Sequence, residues 1–333
     1  GQLPPEVLTA VKRDLDIICR LSQITPEQLL ESYCCPGDIA GVSATLPKWR
    51  TGSLTPLIRP ETMEDSVRAL SEYYEKNGCG MFARYRAFIW RDGTIEPVPY
   101  PDPIRLGSLK GYEYQRGLAI DNTVAFLHNL GANNCLLYGD RGTGKSSTVK
   151  ALLNEYYQDG LRLVEMPKES LGDFPKLVEK IAALPLKFIV FIDDLSFSQQ
   201  DDTFAALKAV LEGGVASRPE NALIYATSNR RHLVRETFSE RQGDEVHLGD
   251  TIQESLSLAD RFGLSIHFAT PDKARFLEIV RALALERKLQ GDMAEIEAGA
   301  ERWAMERGGR SPRCAKQYIA SLEARLKRGL PIR

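Results

Sequence analysis

At 333 residues, 43% of them hydrophobic, the chain is long enough for two or three domains, each with a core of its own. A formal charge of −2 argues against a dedicated nucleic-acid binder, which usually carries a basic domain, although a local basic patch can hide in a neutral total. Six cysteines without a Cys-x-x-Cys pair and four scattered histidines argue against a zinc or disulfide framework; reduced thiols are expected, with adjacent Cys34 and Cys35 the one oddity.

The chain opens on Gly1 rather than methionine, which suggests a processed or trimmed start, and its first residues lack the basic-then-apolar layout of a signal peptide. No apolar run approaches the ~20 residues that cross a bilayer, so a cytoplasmic protein without membrane association is expected. Pro4-Pro5 opens a helical pattern through Val7, Leu8, Val11, Leu15 and Ile18, and a short helix is expected after Thr25-Pro26. Residues 36–60, rich in Pro, Gly, Ser and Thr, read as loop, followed by a helix over Glu64–Lys76. Residues 82–98 alternate and turn at Asp92-Gly93, a hairpin signal, with Tyr85, Phe88 and Trp90 as core candidates. The next stretch, EPVPYPDPI, has four prolines in nine residues and marks a candidate domain boundary near residue 105.

Beyond it, strands and helices alternate as in a parallel α/β sheet. The expected order is helix Glu113–Asn129, strand Asn134–Tyr138, helix Lys145–Tyr157, strand Arg162–Glu165 and helix Phe174–Ala183. Strand Lys187–Ile192, nearly all apolar, reads as covered on both faces. Helix Thr203–Leu211 and strands Ala222–Thr227 and Leu264–Phe268 complete the sheet; after Pro271 three helices are expected, over 272–289, 293–307 and 312–327. The division is therefore an N-terminal α+β domain over 1–105 for partner binding or oligomerisation, an α/β core over 106–270 and a helical lid over 271–333.

LLYGDRGTGKSS fits G-x-x-x-x-G-K-[ST], between an apolar strand and a helix. The loop Gly139, Asp140, Arg141, Gly142, Thr143, Gly144, Lys145, Ser146 and Ser147 is expected to cradle phosphate with backbone N–H groups at a helix N-terminus. Lys145 would reach the β- and γ-phosphates of ATP, and the Ser146 hydroxyl would ligate Mg²⁺. Roughly fifty residues on, KFIVFIDDL ends a buried strand in two carboxylates. Asp193 is expected to hold the magnesium, and Asp194 to orient or deprotonate the attacking water. The strand ALIYATSN ends in Thr227, Ser228 and Asn229; Asn229 could position the water, or the segment could simply cap a helix starting at Arg230-Arg231-His232-Leu233.

Glycine loop, acidic pair, polar strand end and helical lid together resemble an AAA+ P-loop ATPase over roughly residues 105–330. The runs GYEYQRGLAIDNTVAFL, NNCLLYGDRGTGKSSTVKAL, IDDLSF, ATSNRRHL, LADRFGL and GRSPRCAKQYI resemble a bacterial family of uncharacterised AAA+ ATPases, domain of unknown function 815. In outline the chain is also similar to bacterial helicase loaders and transposition helper ATPases. The resemblance implies that Asn229 is the first sensor and that Arg261 is an arginine finger completing a neighbouring subunit's site. It implies that Arg313, with Arg310 as rival, is the second sensor, and that the segment holding Tyr112 packs against adenine. Most AAA+ proteins have Asp-Glu where this chain has Asp193-Asp194, so turnover is expected to be slow or partner-stimulated.

The implied function is Mg²⁺-dependent ATP binding and hydrolysis by a homo-oligomeric motor or remodeller, a ring or filament. The alternative is a nucleotide-dependent switch or loader, DNA-associated in one version, with slow hydrolysis. A small-molecule kinase is disfavoured by the helical C-terminus, and a GTPase by the lack of an Asn/Thr-Lys-x-Asp motif. An unidentified protein partner is expected at residues 1–105. The charged stretch 231–261 reads as a solvated loop or as an insertion that meets a partner.

Overall fold

A computed structural model describes residues 4–24, 28, 63–195, 202–212, 219–229 and 261–332. The expected helix after Thr25, the loop at 36–60, the cap reading at 230–233 and nearly all of the charged stretch 231–261 lie outside the described residues. The chain divides into two compact units, Gly1–Gly78 and Cys79–Arg333.

In the first unit, α1 (Pro5–Gln23) starts on a proline, whose fixed φ and missing N–H suit a first turn. It turns Leu15 and Cys19 inward and pairs Lys12 with Glu64 of α2 (Met63–Asn77).

The second unit is built on a seven-stranded sheet. After the short α3 (Met81–Arg84) come β1 (Ala87–Arg91), β2 (Thr94–Pro97) and α4 (Glu113–Leu127). Then follow β3 (Cys135–Gly139), α5 (Lys145–Tyr156), β4 (Leu161–Glu165), α6 (Phe174–Ala182), β5 (Lys187–Ile192) and α7 (Asp202–Glu212). The sheet ends with β6 (Ala222–Ser228) and β7 (Leu264–Phe268). The strand order is β2-β1-β4-β5-β6-β3-β7, parallel throughout except for the β1–β2 hairpin. The central strands read as unbroken apolar runs because both faces are covered. Leu136, Val164, Phe188, Val190, Ile192 and Ile224 face one way, against Phe174, Leu177, Ile181 and Leu207. Cys135, Leu137, Leu163, Ile189, Phe191, Leu223 and Tyr225 face the other, against Ala119, Phe126, Val149 and Leu152. This is the period-two alternation of a strand.

The hairpin is where expected, but it does not belong to an N-terminal α+β domain. β1 pairs in parallel with β4, Ala87 opposite Leu163, so the hairpin forms the edge of the core sheet. The boundary expected near residue 105 therefore falls inside the second unit, which begins at Cys79. The proline-rich stretch is not a free linker either: the Asn154 side chain of α5 donates to the carbonyls of Asp102 and Ile104, both at 2.7 Å.

After β7 come α8 (Lys273–Glu286), α9 (Met293–Glu306) and α10 (Pro312–Leu326). Asp272, Asp292 and Ser311 cap them with side-chain oxygens that accept from the first turn, which explains why each helix starts where it does. Phe276, Val280, Ile296, Ala300, Ala315, Tyr318 and Ile319 form their separate core. No helix among the described residues is long and apolar enough to cross a membrane.

Candidate functional site

β3 lies between β6 and β7, away from its chain neighbours in the sheet, and its carboxyl end opens into the glycine loop. In an open α/β sheet a ligand crevice forms outside the carboxyl ends of the strands at such a switch of order. A cavity of about 540 Å³ occupies that place, bounded by the loop, the ends of β5, β6 and β7, the segment before α4, and the lid.

The loop has the backbone its glycines permit. Gly139, Gly142 and Gly144 have φ of 130°, 78° and 100°. At Gly139 the chain also passes β7 closely, so that an added Cβ would stand 2.2 Å from the Phe268 carbonyl oxygen. Gly139→Ala is expected to lose at least about 2 kcal/mol of stability through backbone strain and this clash, measured as an earlier urea midpoint at unchanged m-value.

Lys145, 6% exposed at the start of α5, turns its ammonium back into the loop. It donates to the carbonyls of Gly139 and Asp140, each at 2.8 Å, and to Asn229 Oδ1 at 3.2 Å, which occupies its three N–H donors. Burial pulls its pKa below the usual lysine value, opposed by Asp140, Asp193 and Asp194. Asn229, at the end of β6, donates from Nδ2 to Asp194 Oδ1 at 2.5 Å. One amide thus joins the loop lysine to the second carboxylate of β5.

The first carboxylate has its own bonds. Asp193 Oδ1 accepts from Ser146 Oγ at 2.6 Å and from Thr227 Oγ1 at 2.5 Å. The same Thr227 oxygen accepts the Asp194 N–H at 3.0 Å. Asp194 has φ of 53°, the left-handed region that Asp and Asn tolerate better than most residues. That turn, pinned by Thr227, sends the two neighbouring carboxylates to different partners. Sequence reading had named Thr227 only as part of a polar strand end; its double bond becomes visible once β5 and β6 are known to be neighbours.

The opposite wall is apolar. Tyr112, with φ of 60°, stacks on Phe268 at 5.3 Å between ring centroids and donates its hydroxyl to the Ala269 carbonyl at 2.5 Å. Burial and the nearby Asp140 push its pKa up to about 12, so it stays a neutral donor at physiological pH. Ile104, Leu109, Ile279 and Leu283 complete this wall. Asp140 does not line the cavity: its carboxylate accepts from the Thr270 N–H at 2.8 Å and hydroxyl at 2.6 Å, tying the loop to the chain entering the lid. Those bonds hold its pKa below the usual carboxylate range. Thr143, buried, donates to the Asp140 carbonyl at 2.8 Å, while Arg141 and Ser147 line the cavity.

The lid approaches through α10. The Arg313 N–H donates to the Gly142 carbonyl at 3.2 Å, and its side chain lines the cavity. Arg310 is committed elsewhere, in a two-pronged pair with Glu301 at 2.9 and 2.8 Å. Lys316, three residues beyond Arg313 on the same helix face, also lines the cavity. Helical spacing from Arg313 was the signal that would have found it.

Arg261 is not brought to this cavity. It precedes β7 at the amino-terminal end of the sheet: Leu264 pairs with Cys135 at the start of β3, and Phe268 with Gly139 at its end.

A group of three or more His, Cys, Asp or Glu able to hold a metal is absent among the described residues. The donor set nevertheless fits magnesium, a hard cation that takes one or two protein oxygens and completes its shell with phosphate and water.

No curated protein matches the chain. Among solved structures, the RuvB Holliday junction branch migration motor of Thermotoga maritima aligns at 16% identity and a TM-score of 0.48, over 69% of this chain and 68% of that one. AMPPCP-bound DnaA from Aquifex aeolicus aligns at 18% identity and a TM-score of 0.46, over 67% and 66%. The architecture is a largely parallel seven-stranded sheet flanked by helices, with a helical C-terminal part. The family model described as protein of unknown function (DUF815) matches residues 83–326, most of the chain, and the protein is therefore a member of that family.

Proposed function

We propose that this protein binds ATP with Mg²⁺ in the cleft at the carboxyl ends of β3, β5 and β6 and hydrolyses it to ADP and phosphate. The observation that carries this reading is the pair of linked contacts Lys145–Asn229–Asp194 and Ser146–Asp193–Thr227, which gathers phosphate-binding, metal-binding and water-orienting groups from three separate strands.

The adenine lies against Tyr112, Leu109, Ile279 and Leu283, and the phosphates run over the N–H groups of residues 141–147. Lys145 exchanges a carbonyl for β- and γ-phosphate oxygens. Ser146 and Asp193 hold the magnesium, which neutralises charge on the phosphates when bound. Asp194 accepts the proton of a water that Asn229 helps to orient, and Arg313 contacts the phosphates from the lid.

Arg261 does not line its own cleft and serves the cleft of a neighbouring copy. The working form is then a head-to-tail ring or filament that acts as a motor or remodeller. If this holds, phosphate release per subunit rises with protein concentration and falls about 10²-fold or more in Arg261→Ala. Activity flat with concentration and indifferent to the substitution would remove the finger from the scheme.

A second reading, a nucleotide-dependent switch or loader with slow hydrolysis, draws support from Asp194 itself, a methylene shorter than Glu and held by Asn229. ATP binding without measurable turnover in the assembled protein would select it. A protein partner at residues 1–105 and a contact with nucleic acid belong to either reading.

A further inference from the structure

A second cavity, of about 210 Å³, lies at the other end of the sheet and shares no lining residue with the nucleotide cleft. It is formed where the chain enters β1, leaves β2 and enters β4. Its walls include Arg84, Arg86, Arg162 and Tyr157, with Pro99 and Pro101 at the rim; no acidic residue is among those that line it.

The arginines are held in different ways. Arg162 is 3% exposed and is fixed by donating to the carbonyls of Phe82 at 2.8 Å, Tyr157 at 2.9 Å and Leu161 at 2.8 Å. Arg86 is half-buried, yet among the described residues its guanidinium has no hydrogen-bond or ion-pair partner. It rests on the Tyr157 ring, 5.0 Å from the centroid, and its Nε is buried without an acceptor. Arg84 is exposed and likewise meets only a ring, that of Tyr85, at 6.0 Å. A half-buried guanidinium normally sits against a carboxylate or carbonyls, because its donors lose water on burial. Here two guanidinium forks converge on a hollow with their donors unspent, over a third that is rigidly placed.

We propose that this cavity binds a phosphate group. The volume is below the roughly 300–1,000 Å³ of pockets for whole small molecules, so it takes one compact anion or one such group of a larger ligand. Planar guanidinium forks match the oxygens of a phosphate, and several of them suit its three or four oxygens better than a single carboxylate. Tyr100, 95% exposed, stands between the rim residues Pro99 and Pro101, which restrict its backbone. Cationic groups beside an exposed ring are what a single nucleic-acid strand uses, phosphate on the one and base on the other. The phosphate group is thus either free or part of such a strand.

The test titrates wild type, Arg86→Ala, Arg86→Lys, Arg84→Ala and Lys145→Met with inorganic phosphate by calorimetry and with a labelled single-stranded oligothymidylate by anisotropy. Loss of charge-assisted bonds predicts binding weakened roughly tenfold or more in Arg86→Ala and Arg84→Ala, with only partial rescue by Lys. It also predicts that the component of binding that depends on Arg84 and Arg86 persists in Lys145→Met, in which only binding at the nucleotide cleft is lost. Arg84 is exposed, so its removal reports on the site even if Arg86→Ala is poorly folded. Binding of the strand, with a salt slope reduced by about one in each Arg→Ala variant and a further loss in Tyr100→Ala, identifies nucleic acid as the source. Binding of inorganic phosphate alone, with the same arginine dependence, identifies a free anion. Absence of both, binding indifferent to Arg84 and Arg86, or loss of the Arg84- and Arg86-dependent component in Lys145→Met overturns the proposal.

Discussion

Lys145→Met is expected to weaken ATP binding by about 10²-fold or more and to bring phosphate release to background. The lysine is buried, and its ammonium sits among the carbonyls of Gly139 and Asp140 and the Asn229 amide oxygen. Its charge is kept through the burial that lowers its pKa by the carboxylates of Asp140, Asp193 and Asp194. Nothing else in the loop carries a positive charge on a fixed side chain, since Arg141 is exposed. Methionine has a similar length and fills the space, but the carbonyls and the amide lose their donor, so a Tm lower by a few degrees is expected as well. Titration of a fluorescent ATP analogue, run beside a melting curve, separates the two effects. A folded Lys145→Met protein that binds ATP as tightly as wild type would move the nucleotide out of this cleft.

The glycine loop and the two carboxylates were legible because the chemistry dictates the local sequence. A phosphate cradle needs glycines at fixed spacing after a strand, and β5 needs apolar residues up to the point where Asp193 leaves the sheet. The bounds of β5 (Lys187–Ile192) followed from an apolar run with clear ends. What was not legible is what depends on pairing between distant segments. Asp92-Gly93 announces a hairpin, with φ of 48° and 75°, but nothing local says that β1 will find β4. The prolines of EPVPYPDPI rule out a regular element there, and that was read as a boundary. Asn154 instead holds that segment on α5, through a side-chain amide fifty residues away. The choice between Arg310 and Arg313 was open for the same reason. It is the buried Glu301, on another helix, that engages Arg310 and leaves Arg313 facing the cleft.

Asp194→Asn is expected to leave ATP affinity within about threefold of wild type and to lower kcat by about 10²–10⁴-fold. Asparagine is the informative replacement because two structural demands at this position have to be met whatever the chemistry. The backbone sits at φ of 53°, which Asn accepts and Ala resists, and its N–H must reach Thr227. The side-chain oxygen must accept from Asn229 Nδ2, and an amide oxygen does this as a carboxylate does. The substitution therefore removes basicity and charge while keeping shape, strain and the link through Asn229 to Lys145. Pre-steady-state phosphate release from ATP already bound reads the chemical step without product release. A fall in the first turnover with unchanged affinity assigns the base to Asp194. An undiminished first turnover would mean that the bond to Asn229 only holds the β5 and β6 ends together, with the attacking water oriented by another group. Asp193→Asn supplies the contrast: its carboxylate takes hydroxyls from Ser146 and Thr227, so its loss should appear first as a raised magnesium requirement. If both variants changed only that requirement, the two carboxylates would act as one metal site, and the division of labour imposed by the left-handed turn at Asp194 would have no chemical consequence.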